Sequence, residues 1–209
     1  MRREREPQRN GYQGLETVND QKACIRKRML EKRAGMPEDY CRMADKRIGE
    51  RVLAMEIYKQ AQVIFTYVGT AKETDTRGII LAALAEGKTV AVPKCVGKGI
   101  MKAYRIRGTE DLVRGAYNIP EPGDGCGLVD PKDIGLAVVP CISCSEDGMR
   151  MGYGGGYYDR YLPGCGGLRA ALCRERMLLR DMPVMDHDCR MDFVVTEDRV
   201  LEFGWFDLA

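Results

Sequence analysis

The sequence predicts an α/β fold: a single three-layer domain with a mostly parallel central sheet and helices on both faces. Three observations carry this expectation. Two short apolar runs, 61–68 and 89–92, flank a helix-forming stretch of about ten residues, an alternation that builds right-handed βαβ crossovers and a parallel sheet. The runs are rich in β-branched and aromatic residues without polar alternation, as in strands covered on both sides. A chain of 209 residues, 44% of them hydrophobic, can bury roughly 70% of its unfolded surface, so packing alone can hold it.

Residues 1–19 mix Arg, Glu, Gln, Asn and Gly without an apolar period and are expected to form a flexible arm, leaving 20–209 as the folded domain. From Asp20, the residues Ile25, Met29 and Leu30 share one face of a basic helix that stops near Ala34, before Gly35 and Pro37. Pro37-Glu38-Asp39 opens a second helix reaching about Lys59, with Met43, Ile48, Val52, Leu53 and Met55 inward. The strand 61–68 stops at Gly69, Asp75 or Thr76 caps a helix from Gly78 to Glu86, and Gly87 closes it. The strand Thr89–Val92 is expected to be cut by Pro93. Residues 100–106 form a strand, 107–132 a Gly- and Pro-rich excursion, and Ile134–Val139 the central strand, ending at Pro140. Leu168–Cys173 and Phe193–Thr196 complete a sheet of five or six strands.

Charge narrows the function classes. Lys plus Arg total 33 against 31 Asp plus Glu, so no global field favours nucleic acid or an anionic membrane, and neither is expected as a partner. No apolar run approaches the ~20 residues of a membrane span, and the start lacks the apolar centre of a secretion signal. Nine cysteines, an odd number spread along the chain, fit free thiols in a reducing, cytoplasmic setting. One pair, Cys141-Ile-Ser-Cys144, has metal or redox spacing. No second close pair follows, and the single histidine, His187, is distant, so the pair is expected to be buried and inert.

The chemistry concentrates in Gly148–Arg160. Glycines at 152, 154, 155 and 156 let backbone amides turn inward before a helix entered at Tyr157, which is how a chain holds phosphate. The loop is neither of the two common phosphate loops: Gly-x4-Gly-Lys-Ser/Thr is absent, and Tyr157 occupies the third glycine of G-x-G-x-x-G. Arg150 offers a planar fork to phosphoryl oxygens, and Asp159 a hard oxygen ligand for Mg²⁺ beside them. Lys22 and Arg26, four apart, share a helical face and either point to a common anion or join Arg28, Lys32 and Arg33 in facing solvent.

With these residues in place the chain resembles the 5-formyltetrahydrofolate cyclo-ligase family. Gly-x-Arg-x-Gly-x-Gly-x-Gly-Tyr-Tyr-Asp-Arg is matched without a gap by Gly148–Arg160, and Lys-x3-Arg by Lys22 and Arg26. Weaker matches follow in order: Tyr67, Glu73 and Thr76; Glu121-Pro122; Pro183 and Asp188. The resemblance implies ATP bound by Lys22, Arg26 and the stretch Arg150, Met151, Gly152, Tyr153, Gly154, Gly155, Gly156, Tyr157 and Tyr158. It implies Mg²⁺ held by Asp159 and Asp188, a reduced folate, polyglutamated or not, against Val68, Glu73 and Tyr157, and a monomer. Arg150 and Asp159 are then the catalytic residues. The reaction implied is cyclisation of 5-formyltetrahydrofolate to 5,10-methenyltetrahydrofolate with release of ADP and phosphate.

The chain departs from the family where Pro-Gly-x-Ala-Phe-Asp is usual: Pro140-Cys-Ile-Ser-Cys-Ser145 lacks the glycine, the aromatic and the acid. Glu146 and Asp147 stand nearby as replacement carboxylates. The altered segment keeps a second reading open, a noncatalytic relative that binds nucleotide or folate.

Overall fold

Thr17 ends the extended chain and starts helix α1 (Val18–Ala34), its hydroxyl accepting the Asp20 N–H at 3.2 Å. An acid in the first turn and Lys32 and Arg33 in the last complement the helix dipole. The computed structural model describes residues 17–70, 72–115 and 119–204. The expected arm lies outside these residues, except that 17–19 already belong to the helix and its cap.

Helix α2 (Glu38–Ala54) buries Ala44, Ile48 and Val52, a strict four-residue repeat. Met43, expected inward, is 39% exposed because that repeat selects Ala44 instead. The expected continuation to Lys59 also fails: Met55 is extended, with ψ 139°, and a separate short helix, α3 (Glu56–Gln60), turns Tyr58 into the core. After strand β1 (Val63–Thr66), helix α4 (Arg77–Ala85) divides the work of capping. Asp75 Oδ1 accepts the Arg77 N–H at 3.0 Å, while the Thr76 hydroxyl donates to the Tyr67 carbonyl at 2.6 Å and ties the loop to the strand.

Strand β2 (Thr89–Gly97) runs straight through Pro93 rather than stopping there. The Cys95 N–H, of the same parity, leaves the ladder for the Glu121 Oε1 at 3.2 Å. The N–H that Pro93 lacks would therefore point away from the neighbouring strand, and its absence breaks no ladder bond. The chain continues through β3 (Ile100–Ile106), β4 (Leu112–Arg114), β5 (Pro120–Pro122), β6 (Leu128–Val129) and β7 (Leu136–Pro140). Then come β8 (Ser143–Ser145), β9 (Arg150–Met151), helix α5 (Tyr157–Tyr161), β10 (Leu168–Leu172), β11 (Leu178–Leu179), β12 (Phe193–Val195) and β13 (Val200–Glu202).

The main sheet has eight strands in the order β13-β12-β10-β7-β1-β2-β3-β6, against the five or six expected. The surplus consists of short edge strands of two or three residues, too brief for a periodic signal. The inner pairs β12·β10, β10·β7, β7·β1 and β1·β2 are parallel; both edges are antiparallel. Successive residues of the central strands feed two cores. Phe65, Ala137, Val139 and Ala171 pack with Ile25 and Met29 of α1, and Ile64, Val138 and Leu172 pack under α2, α3 and α4. Helices on both faces complete the three layers.

A buried ion pair pins α2 to the sheet. Arg174, after β10, donates to both Asp45 oxygens at 2.7 and 2.9 Å, and the two side chains are 6% and 13% exposed. Asp45 also accepts the Asp75 N–H, and Arg174 reaches the Glu73 carbonyl at 3.1 Å. Asp45→Ala would leave the guanidinium buried without its carboxylate, an expected loss of about 3–5 kcal/mol in a denaturant melt. Faster amide exchange in 70–75 should accompany it.

Candidate functional site

Strand order reverses between β1 and β7: the chain goes from β1 through α4 outward to β2, and from β7 outward on the other side to β10. Open α/β sheets bind ligands at the carboxyl ends of the strands beside such a reversal. A cleft of about 700 Å³ lies there, bounded by Tyr67 and Val68 beyond β1, Pro140 at the end of β7, and Pro93 and Cys95 of β2. Every residue to which the resemblance gives a binding or catalytic role lies on its wall: Lys22, Arg26, Val68, Glu73, Arg150 to Asp159, and Asp188.

The glycine loop does not follow the central strand directly. A small sheet, β11-β8-β9, intervenes and hands the chain from β9 into the loop and then into α5. Gly154 and Gly156 have φ of +93° and +65°, left-handed values that L side chains rarely adopt. A Cβ at Gly152 would lie 2.8 Å from the Arg150 Nη1, and one at Gly155 2.9 Å from the Tyr157 ring. The loop is fastened from both sides. Arg26 Nε donates to the Gly152 carbonyl at 2.9 Å; Arg160 donates to the Gly155 carbonyl and, at 2.8 Å, to that of Gly99. Arg160 is thus a brace between the loop and the β2–β3 hairpin, a role the sequence did not suggest.

The cations and carboxylates of the cleft meet in pairs. Arg150, with its side chain 3% exposed, donates to the Asp159 Oδ1 at 2.8 Å, and its guanidinium lies 5.5 Å from the Tyr158 ring centre. Lys22 pairs with Asp188, which also accepts the Met185 N–H at 2.7 Å. Lys22 and Arg26 therefore both face the cleft rather than solvent, though each has its own partner. Burial pushes the Tyr158 phenol far above the ordinary tyrosine range, with the Glu73 charge adding to it, so the hydroxyl stays neutral and available as a donor.

Glu73 sits in the loop before α4: its Oε2 accepts the Thr70 N–H at 3.1 Å and the Thr70 hydroxyl at 2.9 Å. The Tyr67 hydroxyl donates to the Thr74 carbonyl at 2.9 Å and fixes the same loop. Glu121, 7% exposed, and Lys72 add a fourth acid and a further cation to the wall. Sequence reasoning gave neither a role; the Glu121-Pro122 dipeptide was the one available signal. His187 lies at the rim, exposed.

The expected replacement acids do not reach the cleft. Glu146 pairs with Arg199 at 2.9 Å, and Asp147 accepts the Ser145 hydroxyl. Ser145, fully buried, also takes the Met149 N–H at 3.2 Å. The altered segment 141–145 lies off the wall altogether. Its cysteines are not a solitary pair, because Cys173 joins them, all three sulfurs lying within 4.8 Å of one another. Hydrogen bonding from the Cys144 and Cys173 thiols, with Arg150 nearby, holds the Cys141 thiol well below the ordinary range.

An open sheet that gathers paired cations and carboxylates around a glycine-lined loop at its strand ends is the architecture of an α/β enzyme. Residues 18–197 match the 5-formyltetrahydrofolate cyclo-ligase family. The chain belongs to that family. A probable 5-formyltetrahydrofolate cyclo-ligase of Schizosaccharomyces pombe is 29% identical over 74% of this chain and 84% of its own length. The mouse 5-formyltetrahydrofolate cyclo-ligase is 25% identical over 87% and 96%. The solved 5,10-methenyltetrahydrofolate synthetase of Aquifex aeolicus superposes with a TM-score of 0.79 at 27% identity, covering 90% of this chain and 96% of that one.

Proposed function

We propose that this chain is an ATP- and Mg²⁺-dependent ligase that cyclises 5-formyltetrahydrofolate to 5,10-methenyltetrahydrofolate with release of ADP and phosphate. The observation that carries the reading is the single cleft uniting Lys22, Arg26, Glu73, the glycine loop, Asp159 and Asp188, which lie far apart along the chain. That the family's altered segment lies off the wall favours a catalyst over a noncatalytic relative. We take residues 20–209 as one catalytic domain, monomeric and cytoplasmic. Nine cysteines, all free, fit a reducing compartment.

The residues present fit both ATP and Mg²⁺. Bare glycine amides leave room that a Cβ would fill, and Asp159 and Asp188 are hard oxygen donors on the same wall. Bound Mg²⁺ would neutralise charge on the phosphates. Lys22 and Arg150, paired here with Asp188 and Asp159, would turn to the phosphoryl oxygens, and Asp188 and Asp159 would hold the cation. Glu73 and the Val68 backbone orient the folate, and the Tyr157 ring offers a flat surface for the pterin. The formyl oxygen attacks the γ-phosphorus and ADP leaves. N10 attacks the resulting imidate carbon, closing the ring, loses its proton, and phosphate departs. No protein nucleophile takes part; the chain aligns reactants and neutralises charge.

Mixing the protein with 5-formyltetrahydrofolate and Mg-ATP should raise the near-ultraviolet absorbance of the methenyl bridge, and only with ATP present. Calorimetric binding without that rise would overturn the ligase reading. Lys22→Ala should raise the KM for ATP about ten- to hundredfold, the value of a charge-assisted hydrogen bond. Asp188 keeps its Met185 N–H in that variant, so kcat should move less than KM.

A further inference from the structure

We propose that Cys141, Cys144 and Cys173 form a site for one soft, thiolate-preferring metal ion of the Cu(I) class, held by three sulfurs beneath the catalytic cleft. The topology assembles it. In the parallel β7·β10 pair Pro140 is level with Leu172, so the next residues, Cys141 and Cys173, emerge side by side at the carboxyl edge of the sheet. The tight return into β8 then brings Cys144 back over them.

Size and chemistry agree. Metal–thiolate bonds of about 2.3 Å in a trigonal plane place sulfurs about 4 Å apart, and these three lie within 4.8 Å of one another. All nine cysteines are free, so no disulfide competes. Among the described residues no fourth Cys, His, Asp or Glu completes the group. Structural zinc asks for four ligands, whereas an all-sulfur set of three suits Cu(I). Cys144 and Cys173 are at most 1% exposed and share an apolar cluster with Ile142, Met151 and Met177, which shields the ion from water.

Charge is compensated from above. Three thiols would release their protons to solvent and leave two net negative charges around a monovalent ion. Arg150 stands directly opposite Cys144 in the β8·β9 pair, and residues so paired point to the same face of the ribbon. Cys141 immediately follows Pro140 of the cleft wall, so an occupied site would underlie the residue on which nucleotide binding depends.

The test is an anaerobic titration of the reduced, full-length protein with Cu(I) against a chromophoric copper chelator, with X-ray absorption at the copper edge. One tight equivalent per chain, coordinated by three sulfurs, is expected. It should vanish in Cys141→Ala/Cys144→Ala/Cys173→Ala and persist in Cys24→Ser/Cys41→Ser. Should the triple variant fold poorly, Cys141→Ser, at a half-buried position, must lose the tight equivalent on its own. Copper held equally by these variants, a coordination number other than three, or Zn²⁺ bound as tightly as Cu(I) would overturn the assignment.

Discussion

Arg150→Ala is expected to lower turnover about 10²- to 10³-fold, the scale of losing a preorganised charge donor at a reacting phosphoryl group. The loss should persist at saturating ATP, because in the proposed mechanism the guanidinium acts on charge that grows as the γ-phosphoryl moves. Its burial adds a structural cost. With its side chain 3% exposed and paired to Asp159, removal leaves both a cavity and a carboxylate without its cation, so the thermal midpoint should fall as well. Arg150→Lys separates the two effects: it keeps a charge and most of the volume but loses the planar fork. It should melt close to the parent protein while recovering only part of the activity. Single-turnover formation of the methenyl product, read beside a circular-dichroism melt, makes the comparison. A folded Arg150→Ala chain with full turnover would remove the residue from the mechanism.

Gly167→Ala should produce the largest loss of stability from a single methyl group. A Cβ there would overlap the carbonyl oxygen, carbonyl carbon and Cα of Gly135, all main-chain atoms that cannot rotate away. The two glycines lie where β10 and β7 begin, and the flanking bonds, Leu168 N to Gly135 O at 3.1 Å and Gly135 N to Val63 O at 3.0 Å, hold three central strands together. Relief requires those strands to part. The expected cost is about 3 kcal/mol or more, a drop in melting temperature on the order of 10 °C for a chain of this size. Gly49 in α2 is the control. Nothing lies within 4 Å of a Cβ there, so Gly49→Ala should stabilise by about 0.5–1 kcal/mol. Equal effects at the two positions would mean that Gly167 is not a contact point.

What the sequence made legible was whatever depends on near neighbours along the chain. The Gly148–Arg160 string specifies its own turn and helix entry, and the central runs announce themselves as strands because they are mostly apolar and lack polar alternation. Pro93 was misjudged because a proline's cost depends on which side of the strand is paired, and that is decided by Glu121 some thirty positions later. The break at Met55 carries neither Gly nor Pro and is set by the burial of Tyr58. Cys173 could not be joined to Cys141 and Cys144 without knowing that β10 lies beside β7, and strand order is not written in spacing. The pairing of each cleft cation with a carboxylate was hidden for the same reason. Lys22 and Asp188 each had a plausible solitary role.

The Lys22–Asp188 and Arg26–Gly152 bonds join residues 166 and 126 positions apart. Helix α1 is made before every other described element, yet its share of the cleft has nothing to close against until the glycine loop and Asp188 have been synthesised. Contacts of such separation also form late in folding, because the intervening chain must be ordered before they can be made. An amino-terminal fragment of any length short of about residue 190 therefore lacks one wall of the site. Chains terminated before that point would be inert rather than partly active, and the basic face of α1 would remain open to other partners until Asp188 arrives.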